Sequence, residues 1–262
     1  MVDGAILASR ADTAADRIVF LGHATVLIEL NGVRLLTDPL LHDRVAHLRR
    51  QVSSLQPAVY AGLDAVLISH LHHDHLDLAS LRLLGLDTPL LVPAGAGEFL
   101  RRKGFTGVSE LSVGETANVG ALQVGAVEAR HDGRRHPGGM RAETLGYVIR
   151  GRRTVYFAGD TELFDGMSAL RSSLDVALLP VAGWGPALGP GHMDPLDAAR
   201  AVRLLQPRLA IPIHWGTLLP IGIAGRHRDR LGEPPRQFAE HVASLAPGVE
   251  VRILEPGQET RL

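Results

Sequence analysis

A short apolar strand runs directly into a cluster of histidines in this sequence. Residues 65–69 read AVLIS, the pattern of a strand that is buried on both faces, and the next residues read HLHHDHLD. Because alternate residues of an extended segment point the same way, His70 and His72 can bind one metal ion. The turn after them directs Asp74 and His75 towards a second ion. The spacing therefore predicts a dinuclear metal site at the end of a buried strand.

The composition limits the ligands that such a site can use. The chain of 262 residues contains 13 histidines and no cysteine. Thiolate zinc fingers, iron–sulfur clusters held by thiolates and cysteine nucleophiles are therefore excluded, and the metals must be bound by histidine and carboxylate side chains. A formal net charge of −1 argues against a globally basic nucleic-acid binder and against a polybasic membrane-surface protein.

Further ligands are expected after later strands, because the histidine-rich segment alone has too few side chains for two metals. Apolar strand candidates lie at 117–129, 154–158 and 209–213. A possible ligand follows each of them: His131, Asp160 and His214. Enzymes of the α/β class place ligands in loops at the ends of strands, so these residues are predicted to complete the site.

Strand and helix candidates alternate along the chain, which indicates a mixed α/β fold with one large sheet or two sheets. Residues 18–30 are rich in β-formers, and the Asn-Gly pair at 31–32 predicts a hairpin turn. A helix is predicted from an Asp194 N-cap, with proline next to it, to the residues before Pro207. No low-complexity tract or short repeat interrupts the chain, so we expect residues 1–262 to form a single domain.

The sequence contains no segment that predicts secretion or membrane insertion. Charged residues interrupt the apolar stretch of the first 20 residues, and no other stretch reaches the roughly 20 apolar residues that a spanning helix needs. We therefore expect a cytoplasmic protein with no integral membrane association, and the net charge indicates that it has no nucleic-acid partner. The oligomeric state stays open.

These motifs resemble, in order, the metal motifs of the metallo-β-lactamase superfamily of hydrolases. The matching segments are SHLHHDHLD, EARHDG, YFAGDTE and IPIHWGT, and the resemblance covers the chain from about residue 18 to residue 254. It implies a four-layer αββα sandwich with the metals at one edge of the two sheets. The ligand sets that it implies are His70, His72 and His131 for one zinc ion, Asp74, His75 and His214 for the other, and Asp160 as the bridge between them.

Three more motifs resemble the branch of that superfamily that contains ascorbate-6-phosphate lactonase and N-acylphosphatidylethanolamine phospholipase D. They read LGHAT together with TDP, GHMDP, and IHWGT. His23 and His192 lie in these motifs, and we expect both beside the metals, in contact with the substrate or supporting the ligands. The structural alternatives are a His23 packed against the hairpin and a His192 that merely precedes the helix cap. Asp38 is the first candidate to accept the free ring N–H of a ligand histidine.

The resemblance implies a metal-dependent hydrolase whose nucleophile is a hydroxide that bridges the metals and is oriented by Asp74. His192 is the candidate for stabilising the developing oxyanion or protonating the leaving group, because imidazole can donate a proton near neutral pH. Two divalent ions are expected as cofactors. Zinc is the first choice, although a site of histidine and aspartate also accepts manganese, iron or nickel.

The substrate prediction depends on three arginines that follow the His131 ligand: Arg134, Arg135 and Arg141. Because arginine suits bidentate contact with phosphate, the loop favours a small anionic substrate, either a phosphodiester or a phosphorylated lactone. The alternative for the loop is a solvated, charged surface. The alternatives for the protein are a lactone or carboxylic-ester hydrolase without a phosphate requirement and, from another class, a non-catalytic metal-binding or scaffold protein.

Overall fold

The computed structural model describes residues 15–171, 174–183, 188–222 and 231–262. The strands within these ranges form three sheets. The first contains, in spatial order, β17 (Glu259–Arg261), β1 (Arg17–Gly22), β2 (Thr25–Leu30), β3 (Val33–Thr37), β6 (Ala65–Leu67), β7 (Leu90–Pro93) and β8 (Val108–Leu111). The second contains β16 (Glu250–Val251), β14 (Leu209–Ile213), β13 (Val176–Pro180), β12 (Thr154–Phe157), β11 (Leu145–Arg150), β10 (Leu122–Glu128) and β9 (Thr116–Val119). The third is small and contains β15 (Leu218–Pro220), β5 (Leu48–Arg50) and β4 (Arg44–Val45).

Helices cover the outer faces of the two large sheets. The α-helices of the described ranges are α1 (Leu78–Leu84), α2 (Gly97–Arg102), α3 (Pro195–Leu205) and α4 (Glu233–Leu245), and the 3₁₀ helices are Pro57–Tyr60 and Asp165–Leu170. Buried side chains of α1 and α2 pack on the first sheet, and those of α3 and α4 pack on the second. The predicted four-layer αββα sandwich is confirmed.

Strand β1 illustrates why the layers pack against each other. Ile18 and Phe20 point into the core between the two large sheets, whereas Val19 and Leu21 point into the core beneath α1 and α2. Successive side chains of a strand alternate between its faces, so a run of apolar residues is buried on both sides when each face is covered. The same reason explains the uninterrupted apolar sequences of the other central strands.

The predicted turn at 31–32 is confirmed, but the β-rich segment before it is divided in two. Asn31 and Gly32 have φ angles of 52° and 77° and connect β2 to β3 in an antiparallel pair. Residues 18–30, in contrast, turn at Gly22 and His23, so that β1 and β2 form a hairpin of their own. Gly22 has a φ of 111°, and a Cβ atom there would lie 2.8 Å from Thr217 Oγ1, so that both the backbone conformation and the close approach favour glycine.

The carboxyl ends of several strands meet at one edge of the sandwich. In the second sheet β12, β13 and β14 are parallel, and in the first sheet β3 is parallel to β6. The loops that leave these ends contain the residues that the sequence singles out as metal ligands. The topology therefore brings motifs from distant parts of the chain to one place.

None of the described helices is both long enough and apolar enough to cross a membrane. Residues 1–14, which include most of the segment considered for a signal peptide, lie outside the described ranges. The cytoplasmic location and the single-domain organisation stay predictions.

The predicted start of α3 is confirmed and yields a test of the local fold. The Asp194 side chain accepts a hydrogen bond from the Asp197 N–H, and Pro195 occupies the first helical position. Asp194→Ala removes this acceptor and should lower the free energy of unfolding by about 1 kcal/mol, whereas Asp194→Asn keeps an acceptor and should lose little. Urea denaturation measures both variants. Equal midpoints for the two would contradict the capping role of the side chain.

Candidate metal centre

Three imidazoles form a first cluster of ligand atoms. His70 Nε2 lies 2.9 Å from His72 Nδ1, and His131 Nε2 lies 3.0 Å from the same atom. Nitrogens that bind one zinc ion at 2.0–2.1 Å in a tetrahedron are about 3.3 Å apart, so this spacing suits a metal. His70 and His72 follow β6 of the first sheet, and His131 follows β10 of the second.

A second cluster lies next to the first. His75 Nε2 is 3.2 Å from His214 Nε2 and 3.9 Å from Asp74 Oδ2. The ligand atoms of these three residues and of His23 all lie within 4.8 Å of one another. Asp74 and His75 come from the loop after β6, and His214 comes directly after β14, so this cluster also draws on both large sheets.

Asp160 lies between the two clusters. Its Oδ2 is 3.3 Å from His75 Nε2 and its Oδ1 is 3.3 Å from His214 Nε2, while its ligand atom also groups with those of His131 and His192. Asp160 Oδ1 is buried without a hydrogen-bond partner. A buried carboxylate oxygen without a partner is costly, and a cation between the clusters would satisfy it. The residues present therefore fit metal ions.

Asp38 fixes the orientation of one ligand. Its carboxylate accepts hydrogen bonds from the Ser69 N–H, at 2.7 Å, and from the His75 Nδ1–H, at 2.7 Å. With Nδ1–H donating to Asp38, Nε2 is the nitrogen that His75 presents to the second cluster. This contact is the one that the sequence led us to expect of Asp38.

Backbone carbonyls orient two further ligands in the same way. The Gly191 carbonyl lies 2.8 Å from His131 Nδ1, and the Ala182 carbonyl lies 2.6 Å from His214 Nδ1. Because a carbonyl only accepts, each Nδ1 carries the proton and each Nε2 is left free for a metal.

Burial keeps most of the imidazoles neutral. It lowers the pKa of His72 to about 4 and the pKa of His214 to about 3. It also holds the pKa of His70 well below its usual value and lowers the pKa of His131. These four rings therefore offer lone pairs, rather than protons, near pH 7.

The carboxylates and His75 behave as charged partners. Burial raises the pKa of Asp160, but the attraction of His214 and His75 outweighs it and leaves that pKa well below its usual range. The pKa of Asp74 is also well below its usual range, because the attraction of His75 and the hydrogen bond from His23 together outweigh the effect of burial. Burial lowers the pKa of His75, but Asp160 and Asp74 together raise it well above its usual value. Negative charge thus collects where the imidazole nitrogens converge.

His192 lies at the side of the centre and is partly exposed. Its Nε2 is 3.5 Å from Asp160 Oδ2, and its ring packs edge-on against the His131 ring, with centroids 4.7 Å apart. Its Nδ1 lies 3.1 Å from the Gly189 carbonyl and 3.2 Å from the Pro190 carbonyl. Nδ1 therefore carries a proton, and Nε2 faces the centre.

A cavity of about 630 Å³ opens above the centre. Its floor contains the metal-site residues His72, Asp74, Asp160, His192 and His214. Its apolar lining residues, which we call the apolar wall, are Val45, Ala46, Leu48, Pro137 and Leu188. The other described lining residues are His47, His73, Arg135, His136, Gly183 and Gly189. The size suits a small organic molecule.

The three arginines of the phosphate hypothesis are placed differently from one another. Arg135 lines the cavity, but it is buried and its guanidinium donates to the Leu71 and Leu76 carbonyls at 2.8 and 3.2 Å. It therefore supports the loop that contains the histidine motif. Arg134 is exposed, and Arg141 lines a different groove, which His131 also lines. The structure does not bring these two side chains into the cavity.

No sequence pattern predicts the apolar wall of the cavity. Val45, Ala46 and Leu48 belong to the hairpin of β4 and β5, whose strands have only two and three residues. This hairpin is held by pairing between β5 and β15, which lies about 170 residues later in the chain. Strands as short as these have no periodicity that could reveal them.

Comparison with known proteins identifies related sequences. A family model described as a beta-lactamase superfamily domain matches residues 33–215. A UPF0173 metal-dependent hydrolase from Methanopyrus kandleri is 33% identical over 251 residues, which are 92% of this chain and 98% of that protein. An N-acyl-phosphatidylethanolamine-hydrolyzing phospholipase D from Caenorhabditis elegans is 29% identical over 243 residues, or 82% of this chain and 68% of that protein.

Two further comparisons concern chain length and fold. An uncharacterized protein of Mycobacterium tuberculosis is 34% identical over 225 residues, which are 79% of this chain but only 60% of the relative's length. The solved structure of Igni18, a metallo hydrolase from Ignicoccus hospitalis, superposes with a TM-score of 0.74 at 25% sequence identity. That match covers 95% of this chain and 99% of the other.

The lowered pKa values of two ligands give a direct test of the site. In the metal-free protein we expect the His72 ring to titrate with a pKa of about 4 and the His214 ring with a pKa of about 3. Both rings then stay neutral from pH 6 to pH 8, and protons compete with metal at these two ligands only as the pH falls towards 4. Proton NMR of the ring resonances follows the titration. A midpoint near the ordinary histidine pKa of about 6.5 for either ring would contradict its burial in the centre.

Proposed function

The chain belongs to the beta-lactamase superfamily, and from that premise we propose that it is a metal-dependent hydrolase that binds two divalent ions and cleaves a small phosphodiester. The observation that carries the proposal is the pair of ligand clusters, each drawn from both large sheets, with the carboxylate of Asp160 between them. Zinc is the expected metal, and manganese, iron or nickel would suit the same nitrogen and oxygen ligands.

Different residues of the site have different roles in the proposed hydrolysis. Two ions held at these positions would polarise the substrate oxygen and lower the pKa of a water molecule. His70, His72 and His131 would hold one ion, while Asp74, His75 and His214 would hold the other, with Asp160 shared. Asp74 is ionised and lies on the cavity floor, so its carboxylate can accept a hydrogen bond from the attacking water and orient it.

His192 is the candidate for the leaving group. Its Nδ1–H is engaged by a backbone carbonyl, so Nε2 takes up a proton on the side that faces Asp160 and the cavity. A protonated Nε2 can donate that proton to the departing oxygen, and the neutral ring is then ready to be protonated again. This arrangement supports a role as general acid.

The cavity favours a diester over a phosphorylated lactone. A phosphate diester carries one negative charge, which two metal ions can neutralise, whereas a terminal phosphate calls for additional cations at its own end. Arg135 is the cavity's arginine among the described residues. Its Nη1 donates to the Leu71 and Leu76 carbonyls and its Nη2 donates to His73 Nδ1 at 3.2 Å. The phospholipase D relative from Caenorhabditis elegans, whose name describes cleavage of a phosphodiester in a lipid, gives independent support.

A lactone or carboxylic-ester hydrolase is the second candidate. The apolar wall formed by Val45, Ala46, Leu48, Pro137 and Leu188 supports it, because such a wall would accept the acyl part of a neutral ester as readily as the alcohol part of a diester. The two candidates use the same metal centre and differ in the charge of the group that is attacked. The complete set of ligands argues against a non-catalytic scaffold.

Turnover of matched chromogenic substrates tests the proposal. The zinc-loaded and manganese-loaded proteins are compared on bis-p-nitrophenyl phosphate, p-nitrophenyl esters and simple lactones, with His72→Ala as the blank. We expect the diester to be preferred. On a diester with an alkyl leaving group, whose alkoxide needs a proton to depart, we expect His192→Gln to lower kcat by roughly 10²- to 10⁴-fold without loss of metal. On bis-p-nitrophenyl phosphate the loss should be far smaller, because p-nitrophenolate departs without a proton. Arg134→Ala/Arg141→Ala should leave kcat/KM unchanged, because neither side chain lines the cavity.

Each outcome has a defined meaning. Preferred turnover of esters or lactones supports the second candidate over the first. No turnover of any substrate by the metal-loaded protein contradicts the assignment as a hydrolase of these classes. A large loss of diester turnover in the double arginine variant would restore the phosphate role of that loop.

A further inference from the structure

The turn between β1 and β2 places an unusual backbone beside the metal centre. His23 has a φ of 55°, in the left-handed region that residues other than glycine rarely adopt. It follows Gly22, whose φ is also positive. A non-glycine residue stays in such a conformation only when its surroundings fix it, and such positions concentrate at functional sites.

Hydrogen bonds on both sides hold this turn. The His23 N–H donates to Thr217 Oγ1 at 2.7 Å, and the His23 carbonyl accepts from the His214 N–H at 2.8 Å. The buried guanidinium of Arg50 donates to the carbonyl of Leu21 at 3.1 Å, just before the turn. The turn is therefore fastened to the segment that contains the His214 ligand.

The side chain of His23 contacts the second ligand cluster directly. It is buried, and its Nε2 lies 3.0 Å from Asp74 Oδ2. A carboxylate oxygen accepts hydrogen bonds, so the imidazole donates its Nε2–H to Asp74. The ring also packs on the His214 ring, with centroids 3.9 Å apart.

These contacts all go to one of the two clusters. Within the described ranges, no hydrogen bond or ring contact joins His23 to the residues of the first cluster, which are His70, His72 and His131. His23 instead contacts Asp74 through its ring, His214 through both its ring and its carbonyl group, and His75 through a ring contact with centroids 5.2 Å apart. One residue thus contacts all three ligands of the second cluster and is hydrogen-bonded to two of them.

We propose that His23 is a positioning residue for the second metal position: its ring sets the orientation of the Asp74 carboxylate, and its carbonyl sets the backbone of His214. This inference rests on the proposed function, since it requires two metal positions. Hydrogen bonds that orient a ligand typically change metal affinity by 10- to 100-fold when they are removed. The loss should fall on the second ion alone.

The design separates positioning from direct ligation and from a general structural role. His23→Ala removes the hydrogen bond to Asp74. His23→Gln replaces the imidazole with an amide that can still donate to the carboxylate but is a poor ligand for a transition metal. His241→Ala, on α4 and away from the cavity, is the matched control.

The experiment titrates each metal-free protein with Co²⁺ in the presence of a competing chelator and follows the absorption of each bound equivalent. Metal content is measured independently by mass spectrometry, and thermal melting confirms that each variant is folded. We expect the first equivalent to bind all four proteins equally. The second should bind His23→Ala 10- to 100-fold more weakly than wild type, His23→Gln at an intermediate affinity, and His241→Ala like wild type.

Three results overturn the inference. They are wild-type affinity for both ions in His23→Ala, equal weakening of both ions in that variant, and no recovery of the second ion in His23→Gln. The proposed function fails in a different way, through a wild-type protein that binds a single ion or that binds two and hydrolyses none of the substrates.

Discussion

The carboxylate of Asp160 lies at the junction of the two large sheets and contacts side chains that come from both. It comes from the second sheet, yet it is 3.3 Å from His75 Nε2, which comes from the first. Each ligand cluster is likewise assembled from both sheets. Buried imidazoles and carboxylates at this density are unfavourable in an apolar interior unless a cation joins them. Metal ions at this edge would therefore link the sheets as well as supply chemistry.

The surrounding structure serves to keep these ligands in place. The buried carboxylate of Asp38, directly after β3, engages the Nδ1–H of His75, while the buried Arg135 supports the carbonyls of the motif loop. The left-handed turn that follows β1 adds a further contact, the hydrogen bond from His23 to Asp74. Hydrogen bonds of this kind fix the ring orientation and the tautomer before a metal arrives, which lowers the cost of assembling the site. The apolar wall of the cavity comes in part from the small β4–β5 hairpin. Substrate contacts and metal ligands are therefore contributed by different elements.

Much of this arrangement could be predicted from the sequence, because it depends on local signals. The apolar run of β6, the turn at 31–32 and the Asp194 cap each act over a few residues, and the order of the metal motifs identified the fold. The turn at His23 was missed because its conformation is set by Thr217 and His214, nearly 200 residues away. The direction of Arg135 was missed for the same reason, since the carbonyls that bind it are contributed by the motif loop. Long-range hydrogen bonds leave no periodic pattern in a sequence.

The proposed function requires two metal ions, one on either side of Asp160. Anomalous diffraction from crystals of the zinc-loaded protein, collected at the zinc absorption edge, locates them. We expect two peaks about 3.5–4 Å apart, one beside His70, His72 and His131 and the other beside Asp74, His75 and His214. A single peak, or two peaks away from Asp160, would contradict it.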